Sequence, residues 1–129
     1  MQLNEMTPSA LAYLGDSVLE LMTRARLVKS GISNAGKLNK AALSYVQASA
    51  QSEAADRILP ILSENELLWF KRGRNNHGLS VPKSATAAQY RKATGLEVLF
   101  ACLYLEKKTE RMEELYNAGF KDICNDICE

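Results

Sequence analysis

Ala93-Thr94-Gly95-Leu96-Glu97-Val98-Leu99-Phe100-Ala101-Cys102-Leu103-Tyr104-Leu105 decides how this chain folds. Glu97 is its one carboxylate, and no face of a 3.6-residue helix drawn through it is polar. Such a helix is covered on all sides, by the rest of a core or by a partner chain. Glu97 is anomalous there, because an unpaired buried carboxylate neutralises, pairs or coordinates a metal. Gly95 is a second anomaly, since glycine costs a helix interior about 1 kcal/mol relative to alanine.

Leu11 to Met22 repeats the combination: Leu-Ala-Tyr-Leu-Gly-Asp-Ser-Val-Leu-Glu-Leu-Met, an apolar helical stretch with Gly15 directly before Asp16. Glycine lacks Cβ and lets a neighbouring helix come close. The expectation is that the two helices cross near Gly15 and Gly95, bringing Asp16 and Glu97 together. Two converging carboxylates without a local cation suit a hard divalent metal such as Mg²⁺.

Working outward, Thr7-Pro8 opens the first of these helices, with Thr as cap and Pro at the first helical position. Leu14, Val18, Leu21 and Ala25 form its apolar stripe, Asp16 and Glu20 face the other way, and Gly31 closes it. Glu20, one turn beyond Asp16, reads equally as support for a metal or as a solvated helix residue. A helical pattern from Lys37 to Leu59 ends at Pro60. Ser63-Glu64-Asn65-Glu66 is a capping box opening the next helix through Phe70. That helix runs into Lys71-Arg72-Gly73-Arg74-Asn75-Asn76-His77-Gly78 and a loop closed by Pro82-Lys83. Ser84 or Thr86 begins the central apolar helix, and Thr109 caps a last one closed by Gly119. No stretch alternates with the period of a strand. The predicted architecture is all-α, a helical bundle, with residues 1–129 as one domain.

The 129 residues, 47% hydrophobic and 24% charged, suit one soluble domain. The start lacks a basic and apolar leader, and the longest apolar run falls short of the ~20 residues of a membrane span. A cytoplasmic protein without membrane association is expected. Three cysteines, Cys102, Cys124 and Cys128, are odd in number and read as reduced thiols. The net charge of +1 conceals segregation: residues 21–96 hold twelve Lys and Arg against four acids. A basic middle between acidic ends suits a polyanion held near a carboxylate site, although a charge run also serves as a plain solvated face.

Several chemistries are excluded. The single histidine, His77, lies in a basic loop, and no G-x-S-x-G elbow accompanies it. Gly31-Ile32-Ser33-Asn34-Ala35-Gly36-Lys37 matches a phosphate-loop pattern, but a helix precedes it and Leu38 stands where Ser or Thr would hold Mg²⁺. It is taken as an inter-helix turn, and no nucleotide cofactor is expected. Cysteine and histidine spacing gives no zinc site. What remains is a carboxylate metal site, which suits phosphodiester hydrolysis. From Leu67 to Leu96 there are six basic residues and no acid: Lys71, Arg72, Arg74, Lys83, Arg91 and Lys92. With Asn75 and His77 as further donors, they can grip phosphate oxygens. No base-reading motif accompanies them, so recognition of a duplex by backbone and shape, as with double-stranded RNA, is the better match.

At this point Tyr13-Leu14-Gly15-Asp16-Ser17-Val18-Leu19-Glu20 resembles the signature of the ribonuclease III endonuclease domain, and Thr94-Gly95-Leu96-Glu97-Val98-Leu99 its second acidic motif. Lys71-Arg72-Gly73-Arg74-Asn75 and Tyr90-Arg91-Lys92-Ala93-Thr94 are similar to the compact subgroup called Mini-ribonuclease III. The resemblance implies an all-helical homodimer that cleaves double-stranded RNA with Mg²⁺, for which Mn²⁺ can substitute, leaving 5′-phosphate and 3′-hydroxyl ends. It assigns Asp16 and Glu97 to the metal, and implies trimming of precursor large-subunit (23S) ribosomal RNA. The chain departs from the full-length pattern where Ser9, Ala12 and Thr94 replace carboxylates, and no separate double-stranded RNA-binding domain is seen. Those replacements motivate an alternative: a catalytically silent dimeric helical protein that binds RNA or a ribosomal partner.

Overall fold

The computed structural model describes residues 1–76 and 86–121; Gly78, Pro82, Ser84, Cys124 and Cys128, and the proposed RNA contacts His77 and Lys83, lie outside them. Among the described residues the fold is all-α, as expected. A short 3-10 turn, Leu3–Glu5, precedes α1 (Pro8–Lys29), α2 (Ala35–Val46) and α3 (Ala48–Ile58). After a second 3-10 turn, Leu59–Ile61, come α4 (Glu64–Arg74), α5 (Ala87–Leu105) and α6 (Thr109–Gly119). No described helix is long and apolar enough to cross a membrane.

Helix α5 is the axis of the bundle, packed against α1, α3, α4 and α6. Every residue from Ala93 to Leu103 is buried except Glu97. Local chemistry sets the starts of the helices around it. Thr7 accepts from the Ala10 N–H at 3.0 Å, and Ser63 and Glu66 cap α4 reciprocally at 3.2 and 2.9 Å. Of the two candidates for the start of α5, Thr86 caps it, in a box with Gln89. Gly31 follows the end of α1 at φ +99°, a left-handed position open to glycine.

Four expectations are corrected. The pattern from Lys37 to Leu59 is two helices, because Gln47 at φ −71°, ψ 151° ends α2 and starts α3. The break lets α2 lie on α1 while α3 turns to face α5 and α6. The buried face of α1 is Leu11, Ala12, Gly15, Val18, Leu19, Met22, Thr23 and Leu27, whereas Leu21 of the expected stripe is 68% exposed. Gly15 is where α5 comes nearest, so the helix is rolled to bring Gly15 inward. The cap of α6 is Lys108, which makes no side-chain cap bond, and Thr109 is the first helical residue. Finally, Gly95 does not meet α1, as described below.

Two polar ties brace the bundle. Glu66, buried at the start of α4, takes two hydrogen bonds of 2.8 Å from Arg111 of α6, which holds its carboxyl below the usual range. Thr23 and Tyr116 share a buried 2.6 Å hydrogen bond between α1 and α6, with the Arg26 guanidinium 3.9 Å above the Tyr116 ring.

Candidate active site

Asp16 and Glu97 meet. Gly15 is the reason: a Cβ there would overlap the Glu97 carbonyl and stand 2.8 Å from the Glu97 Cα. The α1 and α5 backbones therefore touch at this point, and each carboxylate sits one position from the crossing or on it. Gly95 serves a different neighbour, since a Cβ there would stand 2.7 Å from the Phe70 ring and 2.8 Å from the Phe70 carbonyl of α4. Gly73 completes that second close approach, its missing Cβ leaving 2.6 Å to the Thr94 carbonyl and 2.8 Å to the Gly95 Cα. Gly73 escaped the sequence reading, although a glycine inside a capped amphipathic helix is itself the signal.

Glu97 is half-buried and its pKa is pushed up to about 8. Burial is the largest cause, followed by the negative charge of Asp16 and a hydrogen bond between the two carboxyls. An exposed Asp16 hydrogen-bonded to a half-buried Glu97 is a pair arranged for positive charge, and an oxygen-only donor set fits a hard cation such as Mg²⁺. Among the described residues no third His, Cys, Asp or Glu joins them. Ser9 accepts a 3.2 Å hydrogen bond from Asn76, Ala12 is buried, and the Thr94 hydroxyl donates to the Tyr90 carbonyl at 2.9 Å. Glu20 is paired with Arg24 at 2.7 Å on an exposed face. The described residues therefore offer a cation two carboxylates here.

The basic residues divide. Arg74, Asn75, Ala88, Arg91 and Lys92 line a cleft of about 260 Å³ between the end of α4 and the start of α5. Arg74 donates to the Asn75 side chain at 3.2 Å, Arg91 is exposed, and Lys92 is bound to Asp56 of α3 at 2.8 Å. Lys71 is exposed on α4. Arg72 is not among the residues lining this cleft; it donates to the Leu3 carbonyl at 3.1 Å and the Met6 carbonyl at 2.6 Å.

Known proteins resemble this chain in sequence and in fold. Residues 9–108 match the family described as the Ribonuclease III domain. A Mini-ribonuclease 3 of Symbiobacterium thermophilum is 42% identical over 114 residues, covering 88% of each chain. One of Clostridium tetani is 40% identical over 114 residues, 88% of this chain and 76% of that one. A crystal structure of a Fusobacterium nucleatum protein superposes with a TM-score of 0.80 at 33% identity, over 90% of this chain and 93% of that one.

Proposed function

This chain belongs to the ribonuclease III family, and from that premise we propose a homodimeric, Mg²⁺-dependent endoribonuclease that cuts double-stranded RNA at Asp16 and Glu97. The products are 5′-phosphate and 3′-hydroxyl ends, and the substrate is precursor 23S ribosomal RNA. One observation carries the reading: two carboxyls far apart in sequence are driven together at a glycine crossing, where Asp16 is the one described charge that shifts Glu97.

A divalent cation held by Asp16 and Glu97 supplies Lewis acidity and positive charge at the scissile phosphate, and Mn²⁺, also satisfied by oxygen ligands, substitutes for Mg²⁺. The chain's own part is to present two oxygen ligands on rigid helices and to surrender the proton they share. Arg74, Asn75 and Arg91, with Lys71 nearby on α4, hold phosphates flanking the cut. On α1, Tyr13, Leu21 and Val28 are 82%, 68% and 58% exposed, apolar surface that suits pairing with a second copy. Two sites in the pair cut the two strands. The ribosomal substrate rests on likeness to the compact subgroup alone.

Incubating purified protein with end-labelled duplex RNA and Mg²⁺, then mapping the ends, tests the proposal. The silent binder, favoured by the convergence of only two carboxylates among the described residues, shifts the duplex without shortening it. Sedimentation at micromolar concentration tests the dimer.

Two predictions follow from the site's electrostatics. Metal binding displaces the shared proton, so apparent Mg²⁺ affinity rises about tenfold per pH unit below pH 8 and levels off above it. Calorimetry between pH 6 and 9 reads this directly, and a flat profile removes Glu97 from the ligand set. Arg74→Gln and Arg91→Gln each weaken duplex binding uniformly across sequences and lower the log–log salt slope by about one. Binding is measured with Ca²⁺ in place of Mg²⁺, and an unchanged slope for both excludes the cleft as the phosphate contact.

A further inference from the structure

The close approach at Gly15 sets how near α1 and α5 lie, but not how α1 is rolled or slid. On either side of it Leu11, Val18, Leu19 and Met22 seat α1 in the core, and Thr23 ties its far half to Tyr116. A carboxylate on α1 lies about 5 Å from the helix axis, so a roll of about 10° carries it by about 1 Å. The end of α4 adds a further hold on that roll, at the start of α1 and on the side of the carboxylates.

Arg72 holds the carbonyls of Leu3 and Met6, in the segment that leads into α1. One turn further on, the Asn76 side chain donates to the Ser9 hydroxyl in the first turn of α1, while the Asn76 N–H donates to the Gly73 carbonyl at 3.2 Å. Between them Gly73 is seated on Thr94 and Gly95 of α5, one turn before Glu97. The same short stretch of chain thus grips both helices that carry the carboxylates. Ser9, Ala12 and Asp16 follow one another along one side of α1, so the grip on Ser9 lies in line with the site.

We propose that Arg72 is a positioning residue of the catalytic centre, setting the relation of Asp16 to Glu97 through the α4 end, and is not an RNA contact. The proposal rests on Asp16 and Glu97 being the metal ligands. A guanidinium suits the task because its planar fork reaches two carbonyls at once, whereas an ammonium is a single point of charge.

The test reads metal and RNA separately on the full chain. Mn²⁺ binding to the RNA-free protein is followed by electron paramagnetic resonance, and duplex affinity is measured in Ca²⁺ at several salt concentrations. Arg72→Gln is expected to raise the Mn²⁺ dissociation constant about tenfold, the lower end of what losing an outer partner that orients metal ligands costs. Duplex affinity stays within about twofold of wild type with an unchanged salt slope. Arg72→Lys recovers part of the loss, and Ser9→Ala, which removes only an exposed hydrogen bond and leaves the fold intact, shifts Mn²⁺ binding the same way by about threefold. Weaker RNA binding with a shallower salt slope and normal Mn²⁺ affinity would make Arg72 a phosphate contact and overturn the proposal. A lower melting temperature with both affinities unchanged would make it a plain structural tie and overturn it equally. Mn²⁺ binding that survives Asp16→Asn removes the site itself, whatever Arg72 does.

Discussion

Glu97→Gln is expected to cut duplex RNA at least about 10³-fold more slowly than the parent chain, a loss of roughly 4 kcal/mol of transition-state stabilisation, while melting at a higher temperature. The two effects have one cause. Glu97 is held half-buried beside Asp16 with its pKa at about 8. Folding therefore favours the protonated form, and the metal-free chain loses stability as pH rises from the ordinary carboxylate value, 4.5, toward 8. The sign follows because the folded chain keeps a proton that the unfolded chain has released. An amide of the same shape carries no charge to desolvate and still donates to Asp16, so the gain is about 1 kcal/mol near pH 8.5, a few degrees in Tm. Near pH 5 the gain vanishes, because Glu97 is neutral there already. Melting curves at the two pH values, beside single-turnover cleavage, check it. Equal Tm shifts at both would show that electrostatic strain is not the cause, and undiminished cleavage would remove Glu97 from the chemistry.

Gly15→Ala is expected to reverse the usual sign of a helix-favouring substitution. In an unobstructed helix interior the change from glycine to alanine stabilises by about 1 kcal/mol. Here the new Cβ overlaps the Glu97 carbonyl, which is backbone within the central helix and cannot rotate aside. Either α1 moves off α5 or the carbonyl is displaced, and overpacking of this kind costs about 3 kcal/mol or more, some 10 °C in Tm for a chain of this size. Separating the helices also separates Asp16 from Glu97, so metal affinity falls even in the fraction that folds. Thermal melting together with Mn²⁺ titration reads both losses. A melting temperature equal to that of the parent would mean that the two backbones do not touch at this point.

Much of this was legible in the chain because the signals are local. An apolar run without a polar face can only be an enclosed helix, and Ala93 to Leu103 is enclosed on every side but that of Glu97. Thr7, Ser63, Thr86 and Gly31 announced helix ends because caps and left-handed turns depend on side chains a few residues away. The meeting of Asp16 with Glu97 was readable from Gly15 beside Asp16, while the glycine beside Glu97 pointed to the right helix for the wrong contact. What the sequence could not decide was which neighbour each element would meet. Nothing in Tyr45-Val46-Gln47-Ala48 breaks a helix, yet the chain turns at Gln47 because two separate surfaces have to be covered. Arg72 looks like its basic neighbours until the fold supplies two carbonyls for it, and Gly95 serves α4 while Gly15 alone serves the α1 crossing. Composition and spacing determine that helices form, where they cap and which charges are anomalous, since those follow from interactions within a few turns. The roll of a helix, the target of a long side chain and the partner of a glycine are decided only when distant segments compete for the same space.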